Sequence, residues 1–131
     1  MRYMGIDYGS KKTGVALSDE RGFMAFPKAV FPTDGDLLRT LVTLVRAEKV
    51  EAIVMGESRN YAGNENTLML SARALAAELL QETGCPVYFE SEILTTKEAE
   101  RLQGSTPMTD ASAAAIILQS YIDRNHHHGG Q

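Results

Sequence analysis

The residues with chemistry in them form a small set: Asp7, Glu92 and Asp110, with Ser10, Lys11 and Lys12 following closely on the first acid. Asp7 closes the apolar run Met4-Gly5-Ile6, and Gly9-Ser10-Lys11-Lys12 separates it from a second run, Thr13-Gly14-Val15-Ala16. Three convergent carboxylates would bind Mg²⁺ or Mn²⁺, because these hard ions take oxygen ligands and keep several waters. A pair of such ions can activate water and stabilise the leaving oxygen in phosphodiester cleavage. A phosphate held at Asp7 would meet Ser10, Lys11 and Lys12 at once. Each residue also has a plainer use. By local pattern alone the first stretch is a hairpin with an exposed acid and a charged turn. Glu92 reads equally as a loop acid, with Glu90 as its possible substitute. Asp110 would complement a helix dipole behind Thr109 as N-cap.

For the acids to meet, the chain must place them at one edge of one sheet. Tyr3 to Ile6 reads as a strand, with Tyr3, Gly5 and Asp7 on one face by alternation. Thr13 to Ser18 is a second strand, and Phe23 to Phe31 a third, whose Pro27 suits an edge. Tight turns between them predict an antiparallel meander. Pro32-Thr33-Asp34 would open a helix that carries Leu37, Leu38, Leu41, Leu44 and Val45 at helical spacing and ends near Lys49. Ala52 to Met55 is a continuous apolar run, as in a strand covered on both faces. A polar loop over 56–66 precedes a helix over Thr67 to Thr83, with Gly84 as its stop. Val87 to Phe89 is the fifth strand. A short helix over Thr95 to Gln103 and a last one from Asp110 to Arg124 complete the order.

A meander feeding βαβ crossovers predicts one α/β domain over 1–125, a mixed five-stranded sheet with helices packed on it. Ligand sites in such sheets lie at the carboxyl ends of parallel strands, which puts Asp7 and Glu92 at one edge. The short helix carries the chain away by about 13 Å. Gly104 to Thr109 can return it by up to roughly 20 Å, so Asp110 can reach the same edge. The 126–131 tail has no apolar period and reads as disordered, and its three histidines as solvated rather than as a metal trap.

The 131 residues are enough for one buried core. A net charge of -4 argues against a generic duplex-binding surface, so nucleic-acid contact should be local or metal-assisted. Cys85 is the lone cysteine, expected to pack beside Pro86, which fits a reducing compartment. No signal pattern or membrane-length apolar run stands out, so the cytoplasm is the expected location and no membrane partner is expected.

Gly5 to Ala16, Ser91-Glu92-Ile93-Leu94-Thr95-Thr96 with Glu98-Ala99, and Asp110 to Leu118 together resemble the YqgF family. Its members are described as Holliday junction resolvases or pre-16S rRNA nucleases. The resemblance covers nearly the whole chain in order and implies an RNase H-like fold. It also implies a metal-dependent nuclease acting on rRNA precursor or branched DNA, with Asp7, Glu92 and Asp110 at the acidic positions. Three departures stand out: Ile93 replaces an Arg, Glu57-Ser58 replace Leu-Pro after Gly56, and Gly104 to Thr109 lacks a basic stretch. They leave room for a non-catalytic RNase H-like binding domain. The Asp-x-Gly-Ser turn is also similar to the phosphate loop of actin-like ATPases and sugar kinases. Those folds need two such domains, and this chain carries one copy.

Overall fold

The computed structural model describes residues 1–57, 67–91 and 109–129, with the backbone alone at Ser91, Thr109, Asp110 and 126–129. Strands β1 (Tyr3–Tyr8), β2 (Lys12–Ser18) and β3 (Ala25–Pro32) come first. Helix α1 (Leu37–Ala47), β4 (Ala52–Glu57), α2 (Thr67–Thr83), β5 (Val87–Ser91) and α3 (Thr109–Gly129) follow. They build a five-stranded sheet in the order β3-β2-β1-β4-β5. The meander is antiparallel, and β4 and β5 join parallel to β1, as the order of patterns predicts. Pro27 lies on the edge strand, where its missing N–H breaks no inner ladder. The register slips beside it between Val15 and Ala16, leaving Lys28 as the extra residue of a bulge. Among the described residues no helix is long and apolar enough to cross a membrane.

The sheet is covered on both faces, and alternation along each strand divides the cover. Met4, Ile6, Val15, Leu17, Ile53 and Met55 face α1 and α2, where they meet Leu41, Met69 and Leu79. On the other face Ala16 and Val54 meet Ala114, Ala115, Ile117, Leu118 and Ile122 of α3. Cys85 is buried and its thiol donates to the Val50 carbonyl at 3.3 Å, so it packs as expected.

Several boundaries differ from the sequence reading, and β3 begins at Ala25 instead of Phe23. Pro32 ends β3, and α1 begins only at Leu37, with Asp36 at its N-cap. Thr33 is taken by the β1–β2 turn instead of starting a helix. The backbone of α3 runs on through the histidines to Gly129, past the expected end near Arg124. Helix propagation adds one backbone bond per residue and needs no apolar period once a nucleus exists. The expected short helix over Thr95 to Gln103, and most of the loop before α2, lie outside the described residues.

Candidate active site

Asp7 stands near the carboxyl end of β1, half-buried, on the face that α3 covers. Glycines surround it on that face. Gly5 precedes it on the same strand, and Gly14 is its partner on β2. On β4 the register pairs Ile6 with Met55, so Gly56 stands beside Asp7. Three positions around Asp7 on this face thus carry no side chain of their own. An added Cβ at Gly5 would lie 2.8 Å from both the Ala114 carbonyl oxygen and the Leu118 Cβ. That is closer than a real Cβ approaches such atoms, so α3 sits directly on β1 because Gly5 lets it.

The helix runs antiparallel to β1. Tyr121 meets Tyr3 edge-on, with ring centroids 6.0 Å apart, and Ala114 and Leu118 lie over Gly5. Asp7 is two residues farther along the strand, about 6.6 Å. Asp110 is four residues back from Ala114 along the helix, about 6 Å. The first turn of α3, and with it the Asp110 backbone, therefore lies at the level of Asp7.

The cationic turn is held from an unexpected direction. The Thr33 hydroxyl donates to the Gly9 carbonyl at 2.8 Å, and the Thr33 N–H donates to the Lys11 carbonyl at 2.9 Å. Having one proton, that hydroxyl must accept from Thr13, whose oxygen lies 2.7 Å away. Thr13 is fully buried. At Gly9 a Cβ would fall 2.4 Å from the Lys12 carbonyl, which explains glycine in so tight a turn. Thr33 and Thr13 were not legible as site residues, because their pairing spans the meander.

Ser10, Lys11 and Lys12 are all exposed. They are not equivalent. Lys12 opens β2 two residues before Gly14, so alternation puts it on Asp7's face, whereas Lys11 belongs to the turn. Glu92 and Ile93 lie outside the described residues, as does the Asp110 side chain. Glu90 is no substitute acid: it is buried, its Oε2 accepts from Ser120 at 2.9 Å, and its Oε1 pairs with Arg124. Glu57 faces α2, not Asp7. It pairs with Arg73 at 2.9 Å, and that guanidinium lies 4.9 Å over the Phe89 ring. An acid after Gly56 thus has a structural use on the opposite face.

A family model described as RuvX, Holliday junction resolvase, matches residues 1–124. The chain belongs to this family. A Lactobacillus delbrueckii relative named "Putative pre-16S rRNA nuclease" is 34% identical, the match covering 94% of this chain and 96% of that protein. An Anaeromyxobacter relative of the same name is 39% identical over 96% of this RuvX-family chain and 99% of its own length. Among solved structures, Thermus thermophilus RuvC in complex with a Holliday junction substrate superposes with a TM-score of 0.67. It is 21% identical, and the match covers 95% of this chain and 96% of that one. The shared architecture is the RNase H-like sheet of the resolvases.

Proposed function

We propose that this RuvX-family chain is a divalent-metal-dependent endonuclease that hydrolyses phosphodiester bonds in the 5′ processing of pre-16S rRNA. The observation that carries the proposal is the glycine-ringed Asp7 carboxylate at the level of the first turn of α3. A hard cation takes oxygen donors such as the Asp7 carboxylate, and the neighbouring glycines add no side-chain bulk of their own. Asp7, Glu92 and Asp110 would hold the ion, Mg²⁺ or Mn²⁺. When bound it would acidify an attacking water and neutralise charge on the phosphate. The protein's own part is to position. Lys12 presents its ammonium on the Asp7 face to a phosphate oxygen, while Ser10 and Lys11 offer further donors from a turn that Thr33 keeps from splaying. The N–H groups opening α3 add a favourable field for an anion. Precursor rRNA as substrate implies work in the cytoplasm.

The family description favours a second substrate, branched DNA, and the same acids would serve it. Labelled pre-16S rRNA 5′ segments and four-way DNA junctions, each with Mn²⁺, separate the two. Cleavage of the RNA that Asp7→Asn abolishes is the expected result. Cleavage of the junction alone would move the assignment to resolution. No cleavage of either would leave a binding domain.

A further inference from the structure

Away from Asp7, one connected group of side chains on the same sheet face takes no part in the chemistry above. Tyr88 of β5 stacks on Tyr121 of α3, with centroids 5.5 Å apart and planes 19° from parallel. Tyr121 in turn meets Tyr3 edge-on. Burial, followed by the neighbouring Tyr88 hydroxyl, pushes the Tyr121 phenol above its ordinary range. Beside it, Glu90 takes Ser120 and Arg124 on its two oxygens. Exposure is lopsided: the Glu90 side chain is 5% exposed and that of Arg124 59%, while Tyr88 is 42% exposed. A buried carboxylate thus fixes one side of a guanidinium that has five N–H donors and turns much of itself to solvent.

The place of this patch matters as much as its chemistry. The register carries a row from Asp7 on β1 through Gly56 on β4 to Glu90 on β5. Two strand spacings, roughly 10 Å, separate the two acids, with Gly56 between them in that row. A strand with its phosphate at Asp7 that continued toward the β5 edge would come near the exposed Arg124 and Tyr88. A half-exposed ring already backed by a second ring is a stacking platform, and a duplex hides the base faces that such a platform needs.

We propose that Tyr88 and Arg124 form a subsite for an unpaired nucleotide of the substrate strand, with its base stacked on Tyr88 and its phosphate on Arg124. The subsite takes its link to cleavage from the nuclease reading, but its binding is measurable without it. The test uses the full chain in EDTA, so that no probe is cleaved. Probes are a labelled single-stranded RNA, its DNA counterpart, the same RNA in a duplex, and single strands with one abasic position moved along the sequence.

Tyr88→Ala is expected to weaken single-strand binding by about 5- to 100-fold and to leave duplex binding unchanged. Tyr88→Phe, which keeps the stack, should bind as the parent does. One abasic position should weaken the parent and leave Tyr88→Ala unaffected. Arg124→Gln alone would strand the Glu90 charge, so it is paired with Glu90→Gln. That double variant should lower the slope of log affinity against log salt by about 0.7. Unchanged single-strand affinity in Tyr88→Ala, or an equal loss on single strand and duplex, would overturn the subsite. Retention of the Tyr88 effect by a protein that cleaves nothing with Mn²⁺ would support the subsite and overturn only the nuclease reading.

Discussion

The two faces of the sheet are built from the same strands and to opposite ends. Along β1 the order Met4, Gly5, Ile6, Asp7 alternates large apolar side chains toward α1 and α2 with a glycine and an acid toward α3. On β2 the same alternation gives Val15 and Leu17 to one side and Gly14 and Ala16 to the other. The α1/α2 face is therefore a deep aliphatic core. The α3 face mixes sizes: Val54, Ile117, Leu118 and Ile122 form a smaller apolar cluster, while Gly5 against Ala114 lets the helix backbone ride close to β1. One face stores stability through apolar burial. The other gives up side-chain area at Gly5, where the α3 backbone comes close to β1.

The largest effect should come from the acid itself. Asp7→Asn is expected to lower cleavage of the preferred substrate by more than about a hundredfold, since even outer partners of a metal ligand cost 10- to 100-fold. On the proposed convergence of Asp7, Glu92 and Asp110, its melting temperature without metal should hold or rise, because like charges brought close repel. A variant that melts well below the parent while cleaving normally would invert the division between the faces.

Next come two neighbours of opposite orientation. Ile6→Ala opens a cavity in the aliphatic core and should cost about 2–5 kcal/mol in urea unfolding. Its cleavage per folded molecule should stay near the parent's. Gly5→Ala forces a methyl against the Ala114 carbonyl and should cost about 1–3 kcal/mol. Because α3 must shift, its activity should fall further than the unfolded fraction explains. Activity that tracks folded fraction in both would erase the functional contrast.

Thr33→Val removes the hydroxyl that bridges Gly9 and Thr13. It leaves a buried Thr13 oxygen short of a partner, at about 1–3 kcal/mol. The expected signature is a lower melting temperature together with weaker substrate binding, since the same hydroxyl steadies the Ser10–Lys12 turn. Weaker melting with unchanged binding would separate the turn from the site.

The smallest effect distinguishes the lysines. Lys12→Ala should weaken nucleic-acid binding more than Lys11→Ala, each lowering the salt slope by roughly 0.7 to 0.9 if its ammonium meets a phosphate. Equal losses would mean that face, as opposed to mere proximity, does not matter at this turn.

How much of this was legible beforehand depends on the range of the interaction. Alternation, apolar runs and turn residues are local, and they placed all five strands, the Pro27 edge and the Gly84 stop. The parallel approach of β4 and β5 followed from helices standing between strands and the handedness of crossovers. Asp7 stood out as an acid closing an apolar run, although that local pattern alone also fits the exposed acid of a hairpin. Thr33 misled: Pro32-Thr33-Asp34 has the composition of a helix start, yet a hydroxyl–carbonyl bond across the meander claimed the residue. Glu90 was open as an acid until Arg124, distant in sequence, was seen to occupy it.

By itself, then, the amino-acid order determined which residues alternate, which elements form, and which acid stands at the end of the central strand. The tertiary structure alone decided that α3 lies on Gly5 with its first turn at the level of Asp7. It also decided that Thr33 clamps the cationic turn and that Glu90 holds Arg124 outward. The physical reason is that a helix can slide or rotate over a sheet without changing its own hydrogen bonds. Its register is set by close contacts, here a missing Cβ at Gly5, between residues more than a hundred positions apart.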